Sequence, residues 1–318
     1  MNLFSDLRQP ISDFCYSTLF SDLRQPISDF CYSTLPTPAE SVDLPGTQSY
    51  PSKMNSIRET LQLRDGGVVS LVGGGGKTTL MFQLAGEFAS AGQSVLTTTT
   101  TRIFKPSPDL CPLIYVTANV PEMLEQLAGA ETDPSCVHPS GGLHVTAACS
   151  ELFDENKLVG YAPEQIDALQ RTGFFHWIIV EADGARQRPL KAPAAHEPVI
   201  PESSRWVIAV IGLDAVGKPL DDRYVFRSSD YSRLTGVTAG APVTTESVVR
   251  AVLSPSGIFK GFPPGAGRIV LLNKAEGPDR RAAGGEIARS LLERSNGGIH
   301  RVVVGSLLPE LLVVESLP

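Results

Sequence analysis

The chain has 318 residues, enough for one large core or two modest ones, and its 42% hydrophobic and 19% charged residues are ordinary for a globular protein. A net charge of −7 leaves no global basic field to hold nucleic acid, and no apolar run approaches the ~18 residues that a membrane span requires. Five scattered cysteines, Cys15, Cys31, Cys111, Cys136 and Cys149, form no CxxC pair and suit a reducing, cytoplasmic compartment better than a disulfide scaffold.

Residues 4–19 read FSDLRQPISDFCYSTL, and residues 20–35 repeat them letter for letter. Two copies are too few for a solenoid. Residues 36–53 are rich in Pro, Ser and Thr and read as a flexible linker, so 1–53 is expected to be a disordered extension. Arg8, Arg24 and Lys53 are outnumbered there by Asp6, Asp13, Asp22, Asp29, Glu40 and Asp43, unlike an acid-poor transit peptide. Met54 is the expected start of the folded part, 54–318.

From there strand-like and helix-like patterns alternate. Residues 68–72 (VVSLV) are a buried-strand run that ends in glycines, and 79–91 have helical spacing with Leu80, Leu84 and Phe88 on one face. Gly92 closes that helix. Further strands are predicted at 94–98, 113–116, 144–147, 177–180, 207–211, 269–272 and 302–304, and helices at 122–128, 163–171, 244–253 and 279–294. Continuous apolar strands alternating with helices predict an α/β fold: a mostly parallel sheet covered by helices on both faces, of the P-loop NTPase kind.

The loop Gly73-Gly74-Gly75-Gly76-Lys77-Thr78-Thr79 joins a strand to a helix, the setting in which a phosphate cradle is credible. Glycines let backbone N–H groups approach phosphate oxygens, the helix N-terminus adds its dipole, Lys77 reaches the β- and γ-phosphates, and the Thr78 hydroxyl is a ligand for Mg²⁺. The spacing is the shorter G-x-x-G-K-T form, because Leu71 stands where the longer motif needs glycine.

A metal-side partner is expected at the end of another buried strand. Residues 177–184, WIIVEADG, place Glu181 and Asp183 two apart, so their side chains point the same way. Either can hold Mg²⁺ or orient an attacking water, with Glu181 the first choice for the metal. Asn273, Lys274 and Glu276, again at a strand end, resemble the guanine-reading N-K-x-D motif with Glu where Asp belongs, which leaves ATP and GTP both open.

Weaker signals follow the same edge. Threonines at 97–101 can touch the γ-phosphate or simply suit a strand end. The Pro-rich segment 185–201 carries Arg186, Arg188, Lys191, His196 and Glu197 and reads as a semi-rigid lid over phosphates or substrate. Cys136, His138, His144 and Cys149 match no familiar zinc spacing, and His176 reads as a packed residue. No nucleophile elbow is present.

Taken together, VVSLVGGGGKTTLM, TTTTTRI, KLVGYAPEQIDAL, IIVEADGARQRPLKAPAAHEPVIP and VIGLDAVGKPL resemble the YqeC family, described as accessory proteins of selenium-dependent molybdenum hydroxylases. The resemblance runs from about Met54 to the C-terminus. It implies a P-loop NTPase fold, site residues Lys77, Thr78, Glu181, Asp183, Lys191, His196 and Glu197, and a molybdenum hydroxylase or its cofactor as partner. This chain departs from the family at Glu276, where Asp is usual, and at Phe226-Arg227, where His-Arg is usual. The expected activity is hydrolysis of ATP or GTP with Mg²⁺. The competing classes are a Mur-ligase-like ligase or kinase acting on a small substrate, and a nucleotide-gated binding module without turnover.

Overall fold

The computed structural model describes residues 56–308 and 312–317, apart from 112 and 131–139. The repeated segment, its linker, Met54, Cys136 and His138 lie outside the described residues.

The chain opens with the short helix α1 (Ile57–Thr60), then β1 (Gly67–Gly73), whose apolar run is buried on both sides. Helix α2 (Lys77–Ser90) starts directly from the glycine loop and ends at Ala91, with Gly92 in the left-handed region. β2 (Val95–Thr99), the three-residue β3 (Arg102–Phe104), β4 (Leu113–Val116) and α3 (Val120–Ala130) follow. Next come β5 (His144–Ala148), β6 (Ser150–Leu152), β7 (Lys157–Val159) and α4 (Pro163–Thr172). Pro163 at the first helical position and Gly173 at the C-cap bound α4 as their chemistry demands.

The second half runs β8 (Trp177–Glu181), β9 (Leu190–Lys191), β10 (Ser204–Gly212), β11 (Val225–Phe226) and α5 (Ser228–Thr235). It ends with α6 (Thr245–Leu253), β12 (Gly267–Asn273), α7 (Pro278–Arg294), β13 (Arg301–Ser306) and the edge strand β14 (Leu312–Leu317). Thr244 and Ser247 cap α6 reciprocally, each side-chain oxygen accepting the other's backbone N–H at 3.1 Å.

Nine strands form one sheet in the order β14-β13-β12-β10-β1-β8-β2-β5-β4, parallel throughout except for β14. Alternate residues of the central strands serve opposite faces. Val69, Leu71, Ile179, Ile208 and Leu271 pack with α1 and α2 on one side. On the other, Val207, Ala209, Val270 and Leu272 pack with α5, α6 and α7, while Val68 and Ile178 pack with α3 and α4. The expected parallel sheet covered on both faces is therefore present, and α2 begins at Lys77, two residues before the periodic segment 79–91. Two small sheets, β3-β7-β6 and β11-β9, were not anticipated, because strands of two or three residues are too short to show a period.

The chain leaves β1 toward β8 and its neighbours and then returns to β10 on the other side. β1 and β10 thus flank a topological switch point, the position at which open α/β sheets bind ligands beyond the carboxyl ends of their strands. Gly73, Glu181, Gly212 and Asn273 all end strands at this edge. Among the described residues no helix is long and apolar enough to cross a membrane.

Candidate functional site

The glycine loop is held by its neighbours rather than by its own side chains. Gly74 N–H donates to the Val210 carbonyl at 2.9 Å and Gly75 N–H to the Arg188 carbonyl at 3.0 Å. Gly75 has φ +80°, and a Cβ there would lie 2.4 Å from the Gly212 nitrogen; only glycine fits so close to β10. From Leu80 onward the helix satisfies its own amides, starting with Leu80 N–H to the Gly76 carbonyl at 3.0 Å. The N–H groups of Gly76, Lys77, Thr78 and Thr79 donate to no acceptor among the described residues. They therefore present four donors and the positive end of α2 at the carboxyl edge of the sheet.

Behind these donors lies a buried chain of alternating charges. Thr78 Oγ1 donates to Glu181 Oε2 at 2.7 Å, and Glu181 Oε1 stands 3.5 Å from Lys77 Nζ. Lys77 Nζ donates to the Gly73 carbonyl at 2.7 Å and lies 3.1 Å from Asp183 Oδ1. That Oδ1 is buried and accepts no directed hydrogen bond, so charge rather than geometry joins it to the lysine. Burial opposes the Lys77 ammonium, but Asp183 and Glu181 outweigh it, and the pKa of the amine is raised. Asp183 Oδ2 accepts the Gly73 N–H at 3.1 Å and meets Lys191 Nζ at 3.0 Å.

Lys191 is fully buried among acceptors. Besides Asp183 it reaches the Gly184 carbonyl at 2.8 Å and Glu197 Oε2 at 2.6 Å. Glu197 in turn is gripped from both sides of its carboxylate by Arg227, with Nη2 to Oε1 at 3.0 Å and Nη1 to Oε2. Burial alone would raise the Glu197 pKa; the bonds from Arg227 and Lys191 prevail and hold it down to about 2.

The sequence-derived set divides here. Lys77, Thr78, Glu181, Asp183, Lys191 and Glu197 join one network. His196 does not: it is exposed beside the buried Glu197. Arg186 is also exposed, with its guanidinium over the Phe226 ring at 5.3 Å. The lid segment nonetheless forms a wall of the loop through its backbone, since the Arg188 carbonyl meets Gly75 and the Pro189 carbonyl takes the Gly212 N–H at 2.8 Å. The threonines are committed to structure: Thr99 Oγ1 bonds the Glu181 carbonyl at 2.7 Å and Thr100 Oγ1 the Val199 carbonyl at 2.7 Å.

Asn273 braces the loop from the far side. Its Nδ2 donates to the Gly75 carbonyl at 2.7 Å, and its Oδ1 accepts the Leu307 N–H at 3.0 Å. Lys274 Nζ bonds Asp214 Oδ2 at 2.7 Å, and Glu276 turns toward α7, half exposed, to pair with Arg280 at 2.9 Å. His144 is buried in β5 with Nε2 3.3 Å from Thr97 Oγ1, and desolvation lowers its pKa to about 4. Four contributors escaped sequence reasoning: Arg227, Asp214, Leu307 and the Arg188–Pro189 carbonyls. Backbone acceptors leave no compositional signal, and Arg227 stands 30 positions from its partner Glu197, with no local pattern that joins the two.

For a hard cation the donor set is suitable. Thr78 Oγ1 and Glu181 Oε2 are 2.7 Å apart, close to the ~2.9 Å between neighbouring oxygens of a Mg²⁺ octahedron with ~2.1 Å bonds. Asp183, already balanced by two lysines, stands one step behind them.

The chain is thus an α/β protein with a mostly parallel sheet and a strand–glycine loop–helix junction at its switch point. The YqeC protein family model matches residues 69–229, which span the glycine loop and the charge chain from Lys77 to Arg227. The chain is also 36% identical over 224 residues to the uncharacterized protein YqeC of Escherichia coli (strain K12), covering 70% of this chain and 82% of that protein. The chain belongs to the YqeC family.

Proposed function

We propose that this protein binds ATP or GTP as its magnesium complex at residues 73–79 and hydrolyses it. The observation that carries this reading is the run of backbone amides from Gly76 to Thr79 that donate to no acceptor among the described residues, set beside a buried lysine and a Thr–Glu oxygen pair. Those amides would suit the phosphate oxygens, and Lys77 would neutralise charge developing on the transferred group. Thr78 and Glu181 would hold Mg²⁺, which supplies charge neutralisation across the phosphates when bound. Glu181 would also orient the attacking water, with Asp183 behind it as the counter-charge to Lys77 and Lys191.

The wider role we propose is that of an accessory factor in maturation of a selenium-dependent molybdenum hydroxylase in the cytoplasm, with that enzyme or its cofactor as partner. Support for this comes from the family description alone. The test is a titration of ATP and GTP with Mg²⁺ or with chelator, followed by phosphate release without any added acceptor. Mg²⁺-dependent binding with unassisted release supports the reading. Release that strictly requires a small acid would make the protein a ligase or kinase, and tight binding without release a nucleotide-gated module.

A further inference from the structure

We infer that Arg227 is a positioning residue for the phosphate cradle, acting through Glu197 and Lys191 on Asp183. The inference rests on the nucleotide-binding reading and extends it to a residue that contacts neither the glycine loop nor the carboxylates of β8.

The small β9–β11 sheet creates the relay. Lys191 and Phe226 are paired in parallel register, so the residue after Phe226 emerges beside the lysine. Arg227 has φ +61° and opens α5, and this left-handed turn swings its side chain back toward the lid segment. Its guanidinium lies 4.4 Å over the Phe226 ring, which holds the plane in place, while Nη1 also reaches the Ala192 carbonyl at 3.4 Å. The planar fork then takes both oxygens of Glu197.

Each link constrains the next because the groups are buried. Lys191 divides its attraction between Glu197 and Asp183 at 2.6 and 3.0 Å. With Arg227 present, Glu197 is satisfied from outside and Lys191 is left to hold Asp183 Oδ2. That oxygen also fixes the Gly73 N–H, and the other oxygen faces Lys77. Without Arg227, Glu197 is a buried charge that must draw Lys191 to itself, and Asp183 is released toward Lys77. The loop then loses its anchor at Gly73, and Lys77 is held more tightly away from phosphate.

Charge bookkeeping supplies the test. Arg227→Met should weaken Mg-ATP or Mg-GTP binding by about tenfold, and Arg227→Lys, which keeps charge but loses one prong, by less. Adding Glu197→Gln to Arg227→Met restores the balance between Lys191 and Asp183 and should recover most of the lost affinity. A merely structural Arg227 would make the two substitutions additive. A second readout needs no nucleotide: amide exchange at Gly73, followed by NMR in the full chain, should quicken in Arg227→Met and slow again in the double variant, with Leu71 and Val72 unchanged. Unchanged Gly73 exchange in Arg227→Met, or a double variant no better than the single, overturns the relay. If the wild type binds no nucleotide while Gly73 still follows Arg227, the relay stands and the proposed function falls.

Discussion

The Thr78 hydroxyl and the Glu181 carboxylate meet at 2.7 Å, joining the first turn of α2 to the end of β8. Asp183, two residues further on, is engaged differently, between the ammonium groups of Lys77 and Lys191. The two acids therefore separate into a metal-side oxygen and a structural counter-charge, and substitution should separate them as well.

Glu181→Gln keeps the shape of the side chain and removes its charge. Mg²⁺-dependent nucleotide affinity should fall tenfold or more, about 1.4 kcal/mol, with little change in the melting temperature. Asp183→Asn leaves two buried lysines short of a counter-charge and should cost about 3–5 kcal/mol in urea unfolding. Equal effects of the two substitutions on Mg²⁺ dependence would contradict this division.

Gly75→Ala probes the closeness of the loop to β10. The added Cβ meets the Gly212 nitrogen at 2.4 Å at a φ of +80°, so both contact and backbone oppose it. A loss of at least about 1–2 kcal/mol is expected from the left-handed backbone alone, with nucleotide binding abolished. Gly86→Ala, where a Cβ meets nothing within 4 Å, is the control and should be neutral or mildly stabilising.

Asn273→Ala removes the brace between the Gly75 carbonyl and the Leu307 N–H. With both partners left unpaired, a destabilisation of about 1–3 kcal/mol and weaker nucleotide binding are expected. For base choice, a GTP preference of roughly tenfold is expected, widened by Glu276→Asp and abolished by Glu276→Ala. Titrating both nucleotides against the three proteins decides it, and an unaltered ratio would leave residues 273–276 a plain strand-to-helix turn.

His144 gives the fold an acid limit. Its pKa falls from 6.5 to about 4 on burial, so the unfolded chain takes up a proton below pH 6.5 that the folded protein refuses until about pH 4. Stability is therefore intact above pH 6.5 and drops as pH falls through that window, by on the order of 3 kcal/mol. His144→Gln, uncharged at every pH, should flatten the melting temperature between pH 6.5 and 4. An unchanged slope would mean that other groups set the acid limit.

Much of the site was legible because its signals are local. Four glycines before Lys77 and Thr78, and carboxylates at the end of the WIIV run, are read within one strand and its exit. The lid was legible as a charged, Pro-rich segment, but not the division of labour inside it: Lys191 and Glu197 go inward, while Arg186 and His196 stay in solvent. Composition cannot distinguish these, because burial depends on what the segment packs against.

By itself the sequence determined the order of the eight main parallel strands and of α2, α3, α4, α6 and α7, and the glycine loop between β1 and α2, since each follows from hydrophobic period and glycine placement over a few residues. Only the tertiary structure decided which cation faces which carboxylate. Arg227 finds Glu197 across 30 positions, and Asn273 finds the Gly75 carbonyl across 198. Such pairs are set by the order and register of parallel strands, which arise from long-range packing and leave no mark on the local pattern of either partner.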